Sequence, residues 1–448
     1  MKKYFLITIL TFTVLFFTSC EEDLNITDPA TLSLDQFITD AATAETALLN
    51  AYHDLQSTFV GGAYPKMFSG LYADNFDHTG SFPTFTEVWT NNILTSNVNM
   101  GSFYQNHFDI INTTTEVIRV TEGLGDASIS AAEKAPVLAE AHALRAYAYF
   151  QLVKVFGGVP ITELTVPLDG DAANNVPRSS EAEVYSYIES EIAAAAGSIT
   201  NSSNLRFTNG AVQVLKAKVQ LYQGNYAGAE STLQPLLGSY SLAPTYASLF
   251  DVGGDTTESI FRVDYTASDS NNLSFFFFPS SGGGRREVAP SAELLADFED
   301  GDVRKELIAN NTDFTSSYLI KYQDPGGGTD QPYVFRYADV VLMYAEVLAR
   351  RDDAEASTYI NMIRTRAGLA DVVLTSSNVV DVIADERRFE FFGEGDRWDD
   401  IKRLGIAQSV IEGKVVGSYD VNRLLWPIPQ EEIDTNDAIS QTDQNPGY

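Results

Sequence analysis

Apolar residues recur along much of this chain with the 3.6-residue period of an α-helix, and several stripes mix small side chains with aromatic ones. Ala139, Ala143, Ala146, Phe150 and Val153 fall on one helical face, where the small residues let a neighbouring helix approach closely. The stripe stops at Gly157-Gly158, with Pro160 beyond, which predicts a helix end there. A second stripe, Val212, Leu215, Val219 and Tyr222, runs into Gly224-Asn225-Tyr226. Apolar spacing resumes at Ala229, Leu233, Leu236 and Leu237, so two helices joined by a tight turn are expected. A third pair is read from Tyr337, Val341, Tyr344 and Leu348, followed by Ala356, Ile360 and Ile363 on the partner helix. Weaker helical patterns cover residues 43–56 and 108–120.

The string containing Ala217, Leu221, Gly224, Tyr226 and Ala229 resembles the centre of a tetratricopeptide repeat, a helix-turn-helix unit of about 34 residues. Two long stretches break the helical pattern. Residues 60–104 hold Tyr64, Phe68, Tyr72, Phe76, Phe82, Phe85 and Trp89 without a sustained period. Residues 251–333 hold the run Phe275 to Phe278, then Ser280-Ser281-Gly282-Gly283-Gly284-Arg285-Arg286, and later Pro325-Gly326-Gly327-Gly328. Excursions of that length inside a helical body are usually functional or locally unstructured. Short strands are expected around 259–265 and 318–322, and a helix over 303–309. The fold class that follows is mainly α: a scaffold of helical hairpins carrying long irregular loops.

The N-terminus has a different character. Lys2 and Lys3 precede an uncharged apolar run over residues 4–17, which ends in Thr18-Ser19-Cys20, the arrangement of a secretory signal. The run is shorter than the ~20 residues a membrane-spanning helix needs. Cys20 is the only cysteine, so it has no disulfide partner, and its place at the end of the run reads as a lipidation site. Residues 1–19 are then the signal, with an acidic trio, Glu21-Glu22-Asp23, directly after the anchor.

Charge narrows the function. Across 448 residues, 29 Lys and Arg face 61 Asp and Glu, a net charge of −32, and a surface so negative repels nucleic acids and anionic lipid faces. Aromatics are plentiful, with 27 Phe, 22 Tyr and 3 Trp. Catalytic signatures are missing. His53, His78, His107 and His142 lie far apart with no i, i+4 pair, which argues against a zinc site. No nucleophile elbow, His-Glu-x-x-His or phosphate-binding loop occurs. Glu299-Asp300-Gly301-Asp302 misplaces the glycine of a calcium loop and reads as a turn. The dense block from Asp385 to Arg403 places an Arg or Lys within a turn of each acid, which predicts mutual neutralisation. In it Glu386 and Glu390 share a helical face, Gly393-Glu394-Gly395 forms a break, and Asp396 is expected to cap the next helix.

Several motifs together resemble the SusD/RagB family of surface glycan-binding lipoproteins. They are Cys20, the run Arg145 to Phe150 leading into Phe156-Gly157-Gly158-Val159-Pro160, and the run Arg336 to Glu346. Ile363 to Leu369, Glu386-Arg387-Arg388 to Asp396-Arg397-Trp398, Leu425-Trp426-Pro427-Ile428-Pro429 and Gln444-Asn445-Pro446-Gly447-Tyr448 follow in family order. The chain departs from the family at Tyr104 and Thr115, where relatives commonly carry Trp and Asn. The resemblance implies tetratricopeptide-like helix pairs in residues 20–250, a SusD/RagB C-terminal part in 251–448, and one body overall. It also implies a partner, a SusC-like TonB-dependent outer-membrane barrel over which the protein sits as a lid, with delivery of oligosaccharide or, in some members, peptide. It implies no catalysis, cofactor or metal.

Sugar rings present apolar C–H faces that a flat aromatic side chain can cover while amides and guanidinium groups bond the hydroxyls. The resemblance puts ligand contacts on the two irregular stretches, which nominates Trp89, Phe82, Phe85 and Asn91 from the first and Tyr265, Asn271, Phe276 and Arg285 from the second. Trp398 and Trp426 are assigned to the core. Two rival readings remain at this point: a surface glycosidase, and a scaffold whose helical hairpins bind a peptide or protein.

Overall fold

The computed structural model describes residues 33–162, 175–251, 254–309 and 317–448. The signal over 1–19 and Cys20 lie outside the described residues. Helix α1 (Ala41–Leu55) packs on two long helices, α2 (Val98–Gly123) and α3 (Ala131–Phe156), which lie against each other. The α3 stripe Ala139, Ala143, Ala146, Phe150 and Val153 is fully buried. Ser130 and Glu133 form a reciprocal cap at its start, and Gly157 ends it at φ 72°, a conformation that favours glycine. Helix α4 (Glu181–Ala195) covers the far side of α3. The expected hairpins follow: α5 (Asn209–Tyr222) with α6 (Tyr226–Leu233), and α7 (Tyr337–Ala349) with α8 (Ala356–Arg366). Asn225 caps α6 by accepting from the Gly228 N–H.

Two expectations about local structure change. Helix α2 begins ten residues before the periodic pattern does, because the Asn97 side chain accepts from the N–H groups of Asn99 and Met100 and opens the helix there. Residues 60–104 are not a continuous irregular stretch either, since they contain helices at Ala63–Tyr72 and Pro83–Trp89. The first of these buries Ala63 and every residue from Met67 to Tyr72, so no polar face exists to mark its period.

Strands are short. β1 (Phe76–His78) pairs antiparallel with β3 (Val288–Pro290), with His78 opposite Val288. β2 (Ser259–Arg262) pairs with β6 (Tyr333–Arg336), and β4 (Ile308–Ala309) with β5 (Tyr318–Leu319). The helix expected over 303–309 is a 3₁₀ turn, Val303–Leu307, that runs into β4. The β1–β3 pair matters most, because it stitches the two loop-rich stretches together.

The charged C-terminal block is neutralised as expected, partly within itself, as where Arg387 meets Asp400 at 2.7 Å, and partly by partners distant in sequence. Glu386 accepts from Arg304 at 2.6 Å and Arg364 at 3.2 Å, while Glu390 pairs with Arg336, Arg366 and Arg304. Burial pushes the Glu390 carboxyl up, yet Arg366, Arg336 and Arg304 together hold it well below the usual glutamate range. Gly393 and Gly395 both have positive φ at the predicted break. Asp396 does not cap the helix Arg397–Arg403 with its side chain; its Oδ1 accepts from Lys218 Nζ at 3.4 Å. A buried ammonium draws the carboxylate away from backbone N–H groups. Trp398 and Trp426 are both 3% exposed and lie in the core.

His107 is buried on α2, with Nδ1 donating to the Phe103 carbonyl at 2.7 Å and Nε2 without a partner. Burial drives its pKa down to about 4. The unfolded chain therefore takes up a proton near pH 6.5 that the folded chain refuses until about pH 4. Stability is expected to fall by on the order of 3 kcal/mol as pH drops through that window, and His107→Gln should flatten the slope. Urea midpoints between pH 7 and 4 check this; an unchanged slope in the variant would refute it.

Candidate functional site

The helix Pro83–Trp89 sets Phe82, Phe85 and Trp89 along one stripe beside β1. Phe85 points inward and is packed edge-on against Phe68 at 5.1 Å and Tyr64 at 5.5 Å, with Phe276 at 6.0 Å. Phe82 stays half-exposed. The Arg285 guanidinium lies 4.1 Å from its ring centroid, in cation–π range. Arg285 reaches that position from the other loop-rich stretch, and its side chain remains 43% exposed.

Glu287 anchors this corner. It is buried and accepts from Arg285 Nε, from the Ser81 N–H at 3.1 Å and from His78 Nε2 at 3.4 Å. Because the carboxylate only accepts, His78 Nε2 carries the proton and Nδ1 is free to accept from the Thr86 hydroxyl at 3.1 Å. Burial lowers the His78 pKa despite Glu287, consistent with a neutral ring. An added Cβ at Gly80 would sit 1.6 Å from Glu287 Oε2, so any side chain there would push the carboxylate off its partners.

The remaining nominated residues take structural roles in this fold. Asn91 sits at φ 56° and its amide donates to the Tyr72 carbonyl at 2.7 Å, closing the turn after the helix. Tyr265 is buried and donates to the Gln56 carbonyl at 2.8 Å, and it also lines a polar cleft beside Phe59. The Asn271 amide donates to the Asp330 carbonyl at 2.7 Å and its oxygen accepts from the Leu273 N–H at 2.9 Å. Phe276 is buried between Tyr64 and Phe85. Trp89 is half-buried, with its indole N–H donating to Asp77 at 3.1 Å. Of the eight, Phe82, Arg285 and Trp89 keep substantial accessible surface.

The structure adds three aromatics to them. Phe59, Tyr64 and Phe275 are half-exposed and belong to the same cluster, with Phe59 to Tyr64 at 4.3 Å and Phe275 to Phe276 at 5.7 Å. A band thus runs from Arg285 and Phe82, across the buried Phe85 and Phe276, to Tyr64 and Phe59. The short helix that holds the phenylalanine run decides between its neighbours. Leu273, Phe276 and Phe277 have i, i+3, i+4 spacing in the short helix Leu273–Phe277 and take its inner face, which turns Phe275 outward.

Next to Phe59 the band opens into a polar cleft of about 340 Å³ lined by His53, Gln56, Ser57, Thr58, Asn106 and Ser270, among others. That volume suits a small ligand. Three acids, Asp54, Asp109 and Asp269, line the cleft. Burial raises the Asp54 pKa against a hydrogen bond from Thr113, and partial desolvation followed by the Asp54 charge raises that of Asp109. Among the described residues no group of three His, Cys, Asp or Glu could hold a metal ion, and no helix is long and apolar enough to cross a membrane.

Comparison with known proteins gives two family matches. One, described as the SusD family, covers residues 308–448, and the other, described as "Starch-binding associating with outer membrane", covers residues 21–221. SusD-like protein P38 of Formosa agariphila is 26% identical over 98% of this chain and 99% of its own length. The crystal structure of a SusD superfamily protein from Bacteroides vulgatus superposes with a TM-score of 0.82 at 22% identity, over 92% of this chain and 100% of that one. A laminarin-binding SusD-like protein superposes with a TM-score of 0.80 at 23% identity, with the same coverage. With family matches in both halves and a fold shared along almost its entire length, the chain belongs to the SusD/RagB family.

Proposed function

We propose that this chain is a non-enzymatic surface lipoprotein that captures a glycan on the aromatic band and hands it to a TonB-dependent outer-membrane transporter. The observation that carries the reading is the half-exposed Phe82 ring beside the exposed Arg285 guanidinium, continued by Phe275, Tyr64 and Phe59. Ring faces take up sugar C–H surface, while Arg285 and the amides and hydroxyls of the adjoining cleft bond the hydroxyl groups. The laminarin-binding relative supports a glycan as cargo, and the outer-membrane description of the N-terminal match supports the location. Cys20 is the lipid anchor in this reading and holds the protein at the outer-membrane surface, facing the cell exterior.

A second reading has one observation behind it: Asp54 and Asp109, with raised pKa values in the same cleft, resemble the acid of a glycosidase. One experiment separates the two. The whole purified chain is titrated calorimetrically with a panel of polysaccharides and each mixture is assayed for released reducing ends. Saturable binding without products is expected. Products that vanish in Asp54→Asn or Asp109→Asn would overturn capture in favour of hydrolysis, and absence of binding to any glycan would favour a peptide or protein scaffold. Mass spectrometry of Cys20 and detergent co-purification of a barrel test the anchor and the partner.

A further inference from the structure

A second cavity, of about 420 Å³, opens among α3, α4, α5, the helix Arg397–Arg403 and the C-terminal segment. None of its lining residues belongs to the aromatic band. Three basic side chains line it, and two are already matched. Lys154 Nζ donates to Asp399 at 2.6 Å, and Arg403 pairs with Glu346 at 2.8 Å and Asp400 at 3.2 Å.

Lys402 is not matched in this way. Its ammonium donates to the Lys154 backbone carbonyl, and the carboxylate oxygen it faces, Asp399 Oδ1, is 3.9 Å away, outside hydrogen-bond range. The Lys402 side chain is 17% exposed and lines the cavity, so two of its N–H groups are left to solvent or a ligand there. Burial lowers its pKa, aided by the like charge of Lys154 and opposed by the charges of Asp399 and Glu181. Two phenol groups join it. Tyr185 is nine-tenths buried and Tyr222 half-buried; both line the cavity, and neither hydroxyl has a hydrogen-bond partner among the described residues. Three residues with donors that the protein does not fully satisfy line one cavity, which suits an acceptor-rich group. Val153, Leu424 and Leu425 supply an apolar wall beside them.

We propose that this cavity binds a small organic carboxylate carried on an apolar body, with the carboxylate meeting Lys402, Tyr185 and Tyr222 and the body lying on Val153, Leu424 and Leu425. A carboxylate fits because its two oxygens accept several hydrogen bonds at once and its charge compensates an ammonium that the protein leaves short of partners. Glu181 is the one carboxylate among the described lining residues, and it opposes such a ligand by charge.

Two sources could supply this chemistry, a peptide C-terminus or a sugar acid, and both are probed on the whole chain by calorimetry. N-acetylphenylalanine is compared with its amide, and glucuronate with glucuronamide. The carboxylate form is expected to bind about tenfold tighter than the amide in whichever pair is the better mimic. The apolar wall favours N-acetylphenylalanine, which would assign the site to peptide ends; preference for glucuronate would assign it to sugar acids. Lys402→Gln should erase the tenfold difference, and Glu181→Gln should strengthen carboxylate binding about threefold by removing a repulsive charge. Glu181 is exposed, so this variant and the wild-type acid–amide comparison decide the matter even if Lys402→Gln fails to fold. Equal affinity of acid and amide in the wild type, no saturable binding of any probe, or a preference that survives Lys402→Gln would each overturn the proposal. Glycan titration of the same samples reads the aromatic band separately, so either site can fail alone.

Discussion

Arg336→Met is expected to lower the free energy of unfolding by about 3–5 kcal/mol, the cost of taking from buried carboxylates the counter-charge they share. Arg336 is 1% exposed. Its Nε and Nη2 form a fork with Glu394 at 2.8 and 2.9 Å, Nη1 donates to Glu258 at 2.8 Å and also to Glu390, and Nη2 bonds the Glu390 carbonyl at 2.7 Å. The residue stands at the end of β6, immediately before α7, so these bonds fix a strand, a helix start and the Gly393-to-Gly395 break to one another. Methionine matches the volume but removes the positive charge facing three carboxylates. Arg336→Lys is expected to recover only part of the loss, because an ammonium cannot reproduce the planar fork. Urea unfolding checks both variants. A methionine variant within about 1 kcal/mol of the wild type would place the network among ion pairs of little structural consequence.

Phe82→Ala and Phe275→Ala are each expected to weaken glycan binding by roughly 30-fold, about 2 kcal/mol, the scale of an aromatic anchor at a binding surface. Both rings are half-exposed, so thermal stability should change little. Their buried neighbours supply the contrast. Phe276→Ala and Phe85→Ala remove rings from the packed cluster and are expected to cost about 3–5 kcal/mol of stability. Calorimetric titration paired with melting curves on the four variants separates the effects. Binding that survives Phe82→Ala and Phe275→Ala together would remove the band from the account of capture. Arg285→Ala belongs to the same series, with a smaller expected loss, since its guanidinium is solvated and screened.

The family match carries less information about contacts than about fold, and the run Phe275-Phe276-Phe277-Phe278 illustrates why. All four residues have the same chemistry, and the loop that holds them differs in character from the helical body. What separates Phe275 from Phe276 is which of them meets Tyr64 and Phe85, residues about 200 positions earlier in the chain. Similarly, Asn91 and Asn271 have amides suited to sugar hydroxyls, but both are consumed by backbone carbonyls in turns that the fold requires. Of the polar cleft beside Phe59 the sequence reading named only Tyr265, because its walls come from α1, α2 and the second loop-rich stretch.

The sequence by itself determined the helical stripe from Ala139 to Val153 and its stop at Gly157, the hairpin around Gly224, and the break at Gly393 and Gly395. Each of these depends on side-chain period or backbone conformation within a few residues, which is written locally. Only the tertiary structure decided the helix Ala63–Tyr72, the outward turn of Phe275, the distant partners of Glu386 and Glu390, and the diversion of Asp396 from a helix cap to Lys218. In every such case the deciding contact joins segments far apart in the chain, where burial removes the polar alternation that marks an element and where a charge selects its counter-ion by distance in space.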